Sequence, residues 1–223
     1  MQKLVQGIHQ FQTQIFRNHR DLFERLDQHE QTPETLFVTC SDSRISPNLI
    51  TQTQPGELFI LRNVGNLIPP YETGGGMAAG IEFAVASLQV KDIIICGHSN
   101  CGAMRALLEP EQVSNLPATK AWLAHARRTE QIMWNSYGHL VGSELLHATV
   151  EENVLVQIDN LRSHPSVSKA VANGMLRLHG WVYKIETGEV FAYDPDRGQF
   201  ASLTGQGGIA PLDEEHRGTD LTI

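Results

Sequence analysis

The chain has 223 residues, 41% of them hydrophobic, which is enough for one α/β domain with a sizeable core. Its 25 acidic residues outnumber its 17 lysines and arginines, and a net charge of −8 argues against nucleic-acid binding. No apolar run approaches the roughly 20 residues that span a bilayer. Three cysteines do not make a disulfide framework. We therefore expect a cytoplasmic protein that binds neither nucleic acid nor a membrane.

The first 30 residues have the apolar spacing of amphipathic helices. The apolar positions recur at helical intervals and are Leu4, Ile8, Phe11, Ile15, Leu22 and Leu26. A stripe of this size must be covered, either by the core of its own subunit or by a neighbouring subunit. We predict a helical arm over residues 1–30 within a single domain that spans residues 1–223.

Three short apolar runs, Leu36–Thr39, Leu58–Leu61 and Ile93–Cys96, have the composition of buried strands. An alanine-rich helix is predicted between the second and the third, over Met77–Leu88. A strand, a crossover helix and a further strand indicate a parallel sheet. The predicted fold class is therefore α/β, with a central, mostly parallel β-sheet flanked by helices.

The second half of the chain predicts more helices, a hairpin and a tail. The hairpin has a glycine-containing turn at Glu186–Gly188, and the tail over 204–223 is rich in glycine and acidic residues, so we expect it to be loose. The predicted helices are Cys101–Leu108, Ala118–Trp134 and Glu151–Arg162, and the predicted strands of the hairpin are Leu176–Ile185 and Glu189–Tyr193.

Cys40 and the pair His98 and Cys101 each follow an apolar run. Parallel sheets place ligands outside the carboxyl ends of their strands, so we expect these side chains to meet. Two thiols and an imidazole suit zinc and leave its fourth position open, as in catalytic rather than structural zinc sites. Cys96 lies inside a strand, and we interpret it as a core residue. The pattern predicts a zinc enzyme.

Asp42 and Arg44 lie on the same side of an extended segment as Cys40. A lone Asp-x-Arg pair is usually structural. Beside a zinc site, the arginine can instead keep the carboxylate ionised and aimed at the water that the metal activates. Released from Arg44, Asp42 could itself fill the fourth zinc position and close the site.

These residues resemble the paired signature of the β-class carbonic anhydrases. The resemblance covers roughly residues 1–200, and its segments are Cys40–Arg44, Gly97–Ala103, Gln54–Glu57, Arg62–Asn66, Gly80–Ala84 and Leu178–Tyr183. It implies one zinc ion per chain, held by Cys40, His98 and Cys101, with Asp42 and Arg44 as a catalytic dyad. It implies reversible hydration of carbon dioxide to bicarbonate and a proton through a zinc-bound hydroxide.

The resemblance further implies a substrate pocket and a subunit interface. The residues that it places beside the substrate are Gln31, Phe59, Val64 and Gly102. The family is built on a homodimer that often pairs into a tetramer or larger assembly, with the N-terminal helices packing on the partner subunit. We expect a cytoplasmic location, which includes the interior of a bacterial microcompartment.

The residues are also compatible with other functions. Carbonyl sulfide or carbon disulfide could be hydrolysed on the same scaffold, and a non-catalytic zinc- or bicarbonate-binding protein is a further alternative. A cysteine hydrolase using Cys101 and His98 would leave Cys40 and Asp42 without roles. The glycines at 74–76 match a dinucleotide fingerprint only nominally, because the loop before them is too long.

Overall fold

The computed structural model describes residues 1–203, so the predicted tail at 204–223 lies outside the described residues. The chain divides into two compact units, residues 1–32 and the residues from Pro33 onward. The first unit is helical over most of residues 1–30, the range in which the apolar spacing predicts helix. A π-helical turn interrupts the α-helical structure. Its parts are α1 (Gln2–Gln10), the π-turn (Phe11–Ile15), α2 (Phe16–Asn18) and α3 (Arg20–Gln28).

Within this first unit, the aromatic rings pack on one another. Phe23 lies 5.6 Å from Phe11 and 5.1 Å from Phe16, measured between ring centroids. Other apolar side chains of the same helices, Leu4 and Ile8 among them, are exposed. The helices therefore hold together through a small aromatic cluster and present apolar surface outward.

Over residues 33–203, the second unit is built on a six-stranded sheet in the order β2-β1-β3-β4-β5-β6. β1 to β4 are parallel, and β5 and β6 run antiparallel at one edge. This confirms the predicted mostly parallel sheet and the hairpin. The strands are β1 (Thr35–Cys40), β2 (Leu58–Asn63), β3 (Asp92–His98), β4 (Arg177–Tyr183), β5 (Val190–Asp194) and β6 (Gln199–Ser202).

Helices flank the sheet, and none of the described ones is long and apolar enough to cross a membrane. The helix predicted over 118–134 is wrong in its continuity, because a 3₁₀ turn at Ala124–Ala126 divides it. The last long helix begins at Gly142, nine residues before its predicted start. The helices are α4 (Pro47–Thr51), α5 (Gly75–Glu82, continued by a π-turn to Ser87), α6 (Gly102–Leu108), α7 (Pro117–Leu123), α8 (Arg127–Ser136), α9 (Gly142–Arg162) and α10 (Pro165–Ala172).

Two glycines bring α9 close to the centre of the sheet. A Cβ at Gly97 of β3 would lie 2.9 Å from one γ-methyl group of Val154, and a Cβ at Gly180 of β4 would lie 2.9 Å from the other. Real side chains do not approach so closely, so glycine is required at both positions. α9 therefore packs directly against the strand that ends in His98.

Alternation along the strands decides which side chains face α9. In β1, Leu36, Val38 and Cys40 belong to the main core cluster, while Phe37 points to the other face. Cys96 lies on that other face with Phe37, and burial raises the pKa of its thiol to about 12. Cys96 is therefore a core residue, as its position inside an apolar strand predicts.

Candidate metal centre

The carboxyl ends of β1 and β3 bring three metal-ligating side chains together. Cys40 is the last residue of β1, His98 is the last residue of β3, and Cys101 directly precedes α6. Their sulfur and nitrogen atoms all lie within 4.8 Å of one another, and all three residues are buried. The structure thus assembles the donor set that the strand ends predict.

The imidazole of His98 is oriented with one nitrogen free. Its Nδ1 lies 2.9 Å from the carbonyl oxygen of Ser99, which can only accept a hydrogen bond, so Nδ1 carries the proton. In the neutral ring Nε2 then has a lone pair, and this buried atom has no hydrogen-bond partner within residues 1–203. An unpaired buried nitrogen is costly unless something binds it, and a metal ion satisfies it.

The two thiols constrain each other's charge. The hydrogen bond from Cys101 lowers the pKa of Cys40 to about 4, while the same hydrogen bond, together with burial, raises the pKa of Cys101. Cys40 is therefore the more acidic thiol of the pair. A dication would allow both to ionise, since thiolates are the form that binds metal. The donors fit zinc, which prefers nitrogen and sulfur ligands.

Asp42 lies beside the cluster and is fixed by Arg44. Arg44 Nε donates to Asp42 Oδ1 at 2.9 Å, its terminal nitrogen donates to Oδ2 at 2.7 Å, and its backbone N–H donates to Oδ1 at 3.0 Å. This guanidinium holds the pKa of the Asp42 carboxyl well below its usual range. Asp42 Oδ2 lies 3.8 Å from His98 Nε2, too far for a hydrogen bond. The carboxylate is thus ionised and adjacent to the cluster.

Arg62 is a contributor that sequence reasoning missed. Its guanidinium donates to the carbonyl oxygen of Cys40 at 2.9 and 3.0 Å and to that of Asp42 at 2.7 Å. It thereby fixes the backbone that carries both side chains. Arg62 falls in a segment that carries the family resemblance, but its target becomes visible only when β1 and β2 are paired.

The turn that follows β3 is anchored from two sides. Ser99 Oγ donates to Glu186 at 2.5 Å and accepts the N–H of Ile185 at 2.9 Å, so the β4–β5 connection holds the residue that orients His98. On the other side, Arg44 donates to the carbonyl oxygen of Asn100 at 3.1 Å. The sequence predicts Glu186 in the turn of the hairpin, but it does not predict that Glu186 accepts a hydrogen bond from Ser99.

The residues predicted to line a substrate pocket are not all near the cluster within this chain. Gly102 follows Cys101 directly, and within residues 1–203 no atom outside its chain neighbours and its own helix backbone lies within 4 Å of the point where a Cβ would be. Val64 is 42% exposed in the loop after β2. Phe59 pairs with Leu36, four residues before Cys40, so it lies about 13 Å back along the strands. Gln31 belongs to the first compact unit.

Comparisons with known proteins agree with this geometry. The carbonic anhydrase family model matches residues 35–190, which include the whole cluster. A carbonic anhydrase from Synechocystis sp. is 47% identical over 196 residues, which are 87% of this chain and 71% of the relative. One from Pseudomonas aeruginosa is 44% identical over 204 residues, 91% of this chain and 92% of the relative. The solved β-carbonic anhydrase CcaA is similar with a TM-score of 0.92 and 44% identity, over 96% of each chain.

Proposed function

This chain belongs to the β-carbonic anhydrase family, and from that premise we propose that Cys40, His98 and Cys101 hold the zinc ion at which it hydrates carbon dioxide. The reaction converts carbon dioxide and water reversibly to bicarbonate and a proton. The observation that carries the proposal is the convergence of three buried donors within 4.8 Å of one another. Zinc bound there supplies Lewis-acid chemistry, which lowers the pKa of a water molecule toward about 7.

Asp42 orients the attacking water. Its carboxylate is ionised because Arg44 lowers its pKa, so it accepts a hydrogen bond but is too weak a base to keep a proton at neutral pH. Arg44 in turn keeps the carboxylate aimed through its paired donors. The dyad therefore acts by orientation, and the proton passes on to bulk buffer.

The substrate lies beside Cys101 and against Val64. The open space at Gly102 leaves room for carbon dioxide, and the exposed Val64 supplies an apolar wall whose backbone carbonyl is held by Trp122 at 2.8 Å. The amide N–H of Gln31 would steady the negative charge that develops on a substrate oxygen. An apolar wall and a hydrogen-bond donor suit carbon dioxide, a small apolar molecule that is converted to the anion bicarbonate.

Phe59 requires a different explanation. It lies in β2, an edge strand of the sheet, and its ring packs 6.0 Å from that of the exposed Phe83. Because it is about 13 Å along the strands from Cys40, it does not line the pocket of its own chain. We propose that Phe59 instead lies beside the substrate of a partner subunit.

Such a placement requires an oligomer. The exposed apolar side chains of α1 and the π-turn, Leu4, Ile8 and Ile15, supply surface for a partner subunit. Solved fungal β-carbonic anhydrases from Sordaria macrospora, 26% identical to this chain with a TM-score of 0.77, are described as tetrameric. A homodimer or a larger assembly follows, with one carbonic anhydrase domain per chain. Three free cysteines agree with a cytoplasmic location, including one inside a bacterial microcompartment.

The relatives favour carbon dioxide over the alternative functions. The matched curated proteins are named carbonic anhydrases, which does not favour a hydrolase of carbonyl sulfide or carbon disulfide. The presence of both Asp42 and Arg44 in bonded contact argues against a non-catalytic zinc protein.

The proposal is tested by measuring zinc content and the stopped-flow rate of carbon dioxide hydration on one purified sample. We expect one zinc ion per chain and a hydration rate that is lost when a chelator removes the metal. Hydration that persists at full rate without zinc would contradict the assignment of the ligands. A faster turnover of carbonyl sulfide than of carbon dioxide would contradict the substrate.

A further inference from the structure

Helix α9 and the turn after it carry a row of buried and half-buried polar side chains. Spaced at helical intervals, they form hydrogen bonds to the backbone of the irregular loop 64–70, which pairs with no strand among residues 1–203. Buried polar groups are tolerated only when they are hydrogen-bonded, and here these side chains pair with backbone groups of the loop. The bonds are Asn153 Nδ2 to Gly65 O at 3.1 Å, Ile68 N to Gln157 Oε1 at 2.8 Å, Asn160 Nδ2 to Ile68 O at 2.9 Å, and His164 Nε2 with Pro69 O at 3.1 Å.

The first of these bonds reaches the metal centre. Gly65 accepts from Asn153 through its carbonyl group and donates its N–H to Cys40 Sγ at 3.4 Å. Gly65 has a φ of +83°, and a Cβ there would lie 3.0 Å from the side chain of Ala103, so only glycine fits. The loop therefore presents one backbone N–H to a sulfur of the cluster.

The amide of Asn153 has its orientation fixed. Its Oδ1 accepts from Thr129 Oγ1 at 3.3 Å and from Gln157 Nε2 at 3.0 Å, which leaves Nδ2 to donate to Gly65. Asn153 and Thr129 are 1% and 0% exposed, so water does not compete for these groups. The position of the Gly65 backbone is thus determined from α9.

We propose that Asn153 is a positioning residue for the metal centre: by holding Gly65, it directs an N–H at Cys40 Sγ and reduces the electron donation of that sulfur to zinc. Two thiolates neutralise a zinc dication and weaken it as a Lewis acid. A hydrogen bond donated to one sulfur withdraws charge from it, and such bonds tune metal sites. Because Cys40 is a zinc ligand only under the proposed function, the proposal rests on that function.

Cobalt substitution gives a readout that does not depend on activity. Cobalt(II) replaces zinc, and its thiolate-to-metal charge-transfer band reports how electron-rich the sulfurs are. Asn153→Ala should shift this band to lower energy and raise the pH midpoint of carbon dioxide hydration by about half a unit. Asn160→Ala is the matched control, because it breaks the same kind of bond from α9 but to Ile68, three residues beyond Gly65. It should lower thermal stability and leave the band and the midpoint unchanged.

An unshifted band in Asn153→Ala, or equal shifts in both variants, would overturn the role of Asn153. A wild-type cobalt protein with no thiolate band would overturn the ligand assignment itself, and this inference with it. Should Asn153→Ala fail to fold, the unmutated protein loaded with an NMR-active cadmium isotope decides. Scalar coupling between the Gly65 amide proton and the metal supports the N–H···S bond through which Asn153 is proposed to act, and its absence overturns the proposal.

Discussion

Replacing Asp42 by alanine removes the carboxylate that lies 3.8 Å from His98 Nε2 while leaving the three donors in place. Arg62 still holds the backbone of Cys40, so we expect the variant to retain one zinc ion per chain. A positioned acid–base group contributes about 10²–10⁴-fold to a rate. Because Asp42 orients water without keeping its proton, we expect the lower part of that range: a loss of about 10²–10³-fold in kcat, or about 3–4 kcal/mol of transition-state stabilisation.

Stopped-flow hydration assays on zinc-quantified samples measure this loss. Asp92→Ala is the matched control: Asp92 also accepts two bonds from an arginine, Arg177 at 2.6 and 2.8 Å, but it begins β3, six residues before His98 and about 20 Å away. It should hydrate carbon dioxide at the wild-type rate. Arg44 is half exposed, so losing its ion pair should move the melting temperature of Asp42→Ala by no more than about 4 °C. An Asp42→Ala rate within a few-fold of wild type, at full zinc content, would refute the orienting role.

Three further outcomes follow from the packing and the charges. Gly97→Ala places a Cβ 2.9 Å from a valine of α9, and chemical denaturation should show about 1–3 kcal/mol of lost stability; an unchanged midpoint would mean that α9 can move away. The hydrogen bond to Glu151 raises the pKa of His147, so its stabilisation is complete below about pH 6.5 and is lost as the pH rises through the folded-state pKa. Glu151→Gln should abolish that dependence in unfolding experiments across this range, and parallel pH profiles of the two proteins would contradict it. Glu186→Ala removes the carboxylate that accepts the hydrogen bond of Ser99, and it should lower the affinity for zinc about 10–100-fold in chelator competition. Equal affinities of the variant and the wild type would show that Ser99 holds its position without Glu186.

The fold could be predicted where the apolar pattern of a segment agrees with a general rule of sheet topology. The apolar runs before Cys40 and His98 predict parallel strands, and parallel strands bring their carboxyl ends to one edge. The sequence does not indicate the start of α9, because the polar Ser143, Glu144 and His147 obscure the apolar period over its first turns. The sequence does not indicate the break at Ala124–Ala126, because alanines are strong helix formers and tertiary packing overrides such propensity.

The candidate site likewise has residues that the sequence predicts and residues that it does not. Its ligands and the Asp42–Arg44 pair are close in sequence to strand ends, so their chemistry and placement can be inferred together. Asn153 and Glu186 lie 113 and 146 residues after Cys40 and reach the centre only through tertiary contacts. The sequence pattern around a polar residue in a buried helix does not indicate which distant group it bonds. Supporting residues of this kind become visible only when the backbone that they bond is located.

The same supporting contacts oppose closure of the site by Asp42. To become a fourth ligand, its carboxylate would have to leave both side-chain donors of Arg44 and the backbone N–H of that residue. Arg44 is itself tied to the turn after β3 through the carbonyl oxygen of Asn100, and Arg62 holds the Asp42 carbonyl. Charge-assisted paired bonds are the stronger kind. These contacts are made between protein groups, and under the proposed function Asp42 would reach the metal only after Arg44 releases it.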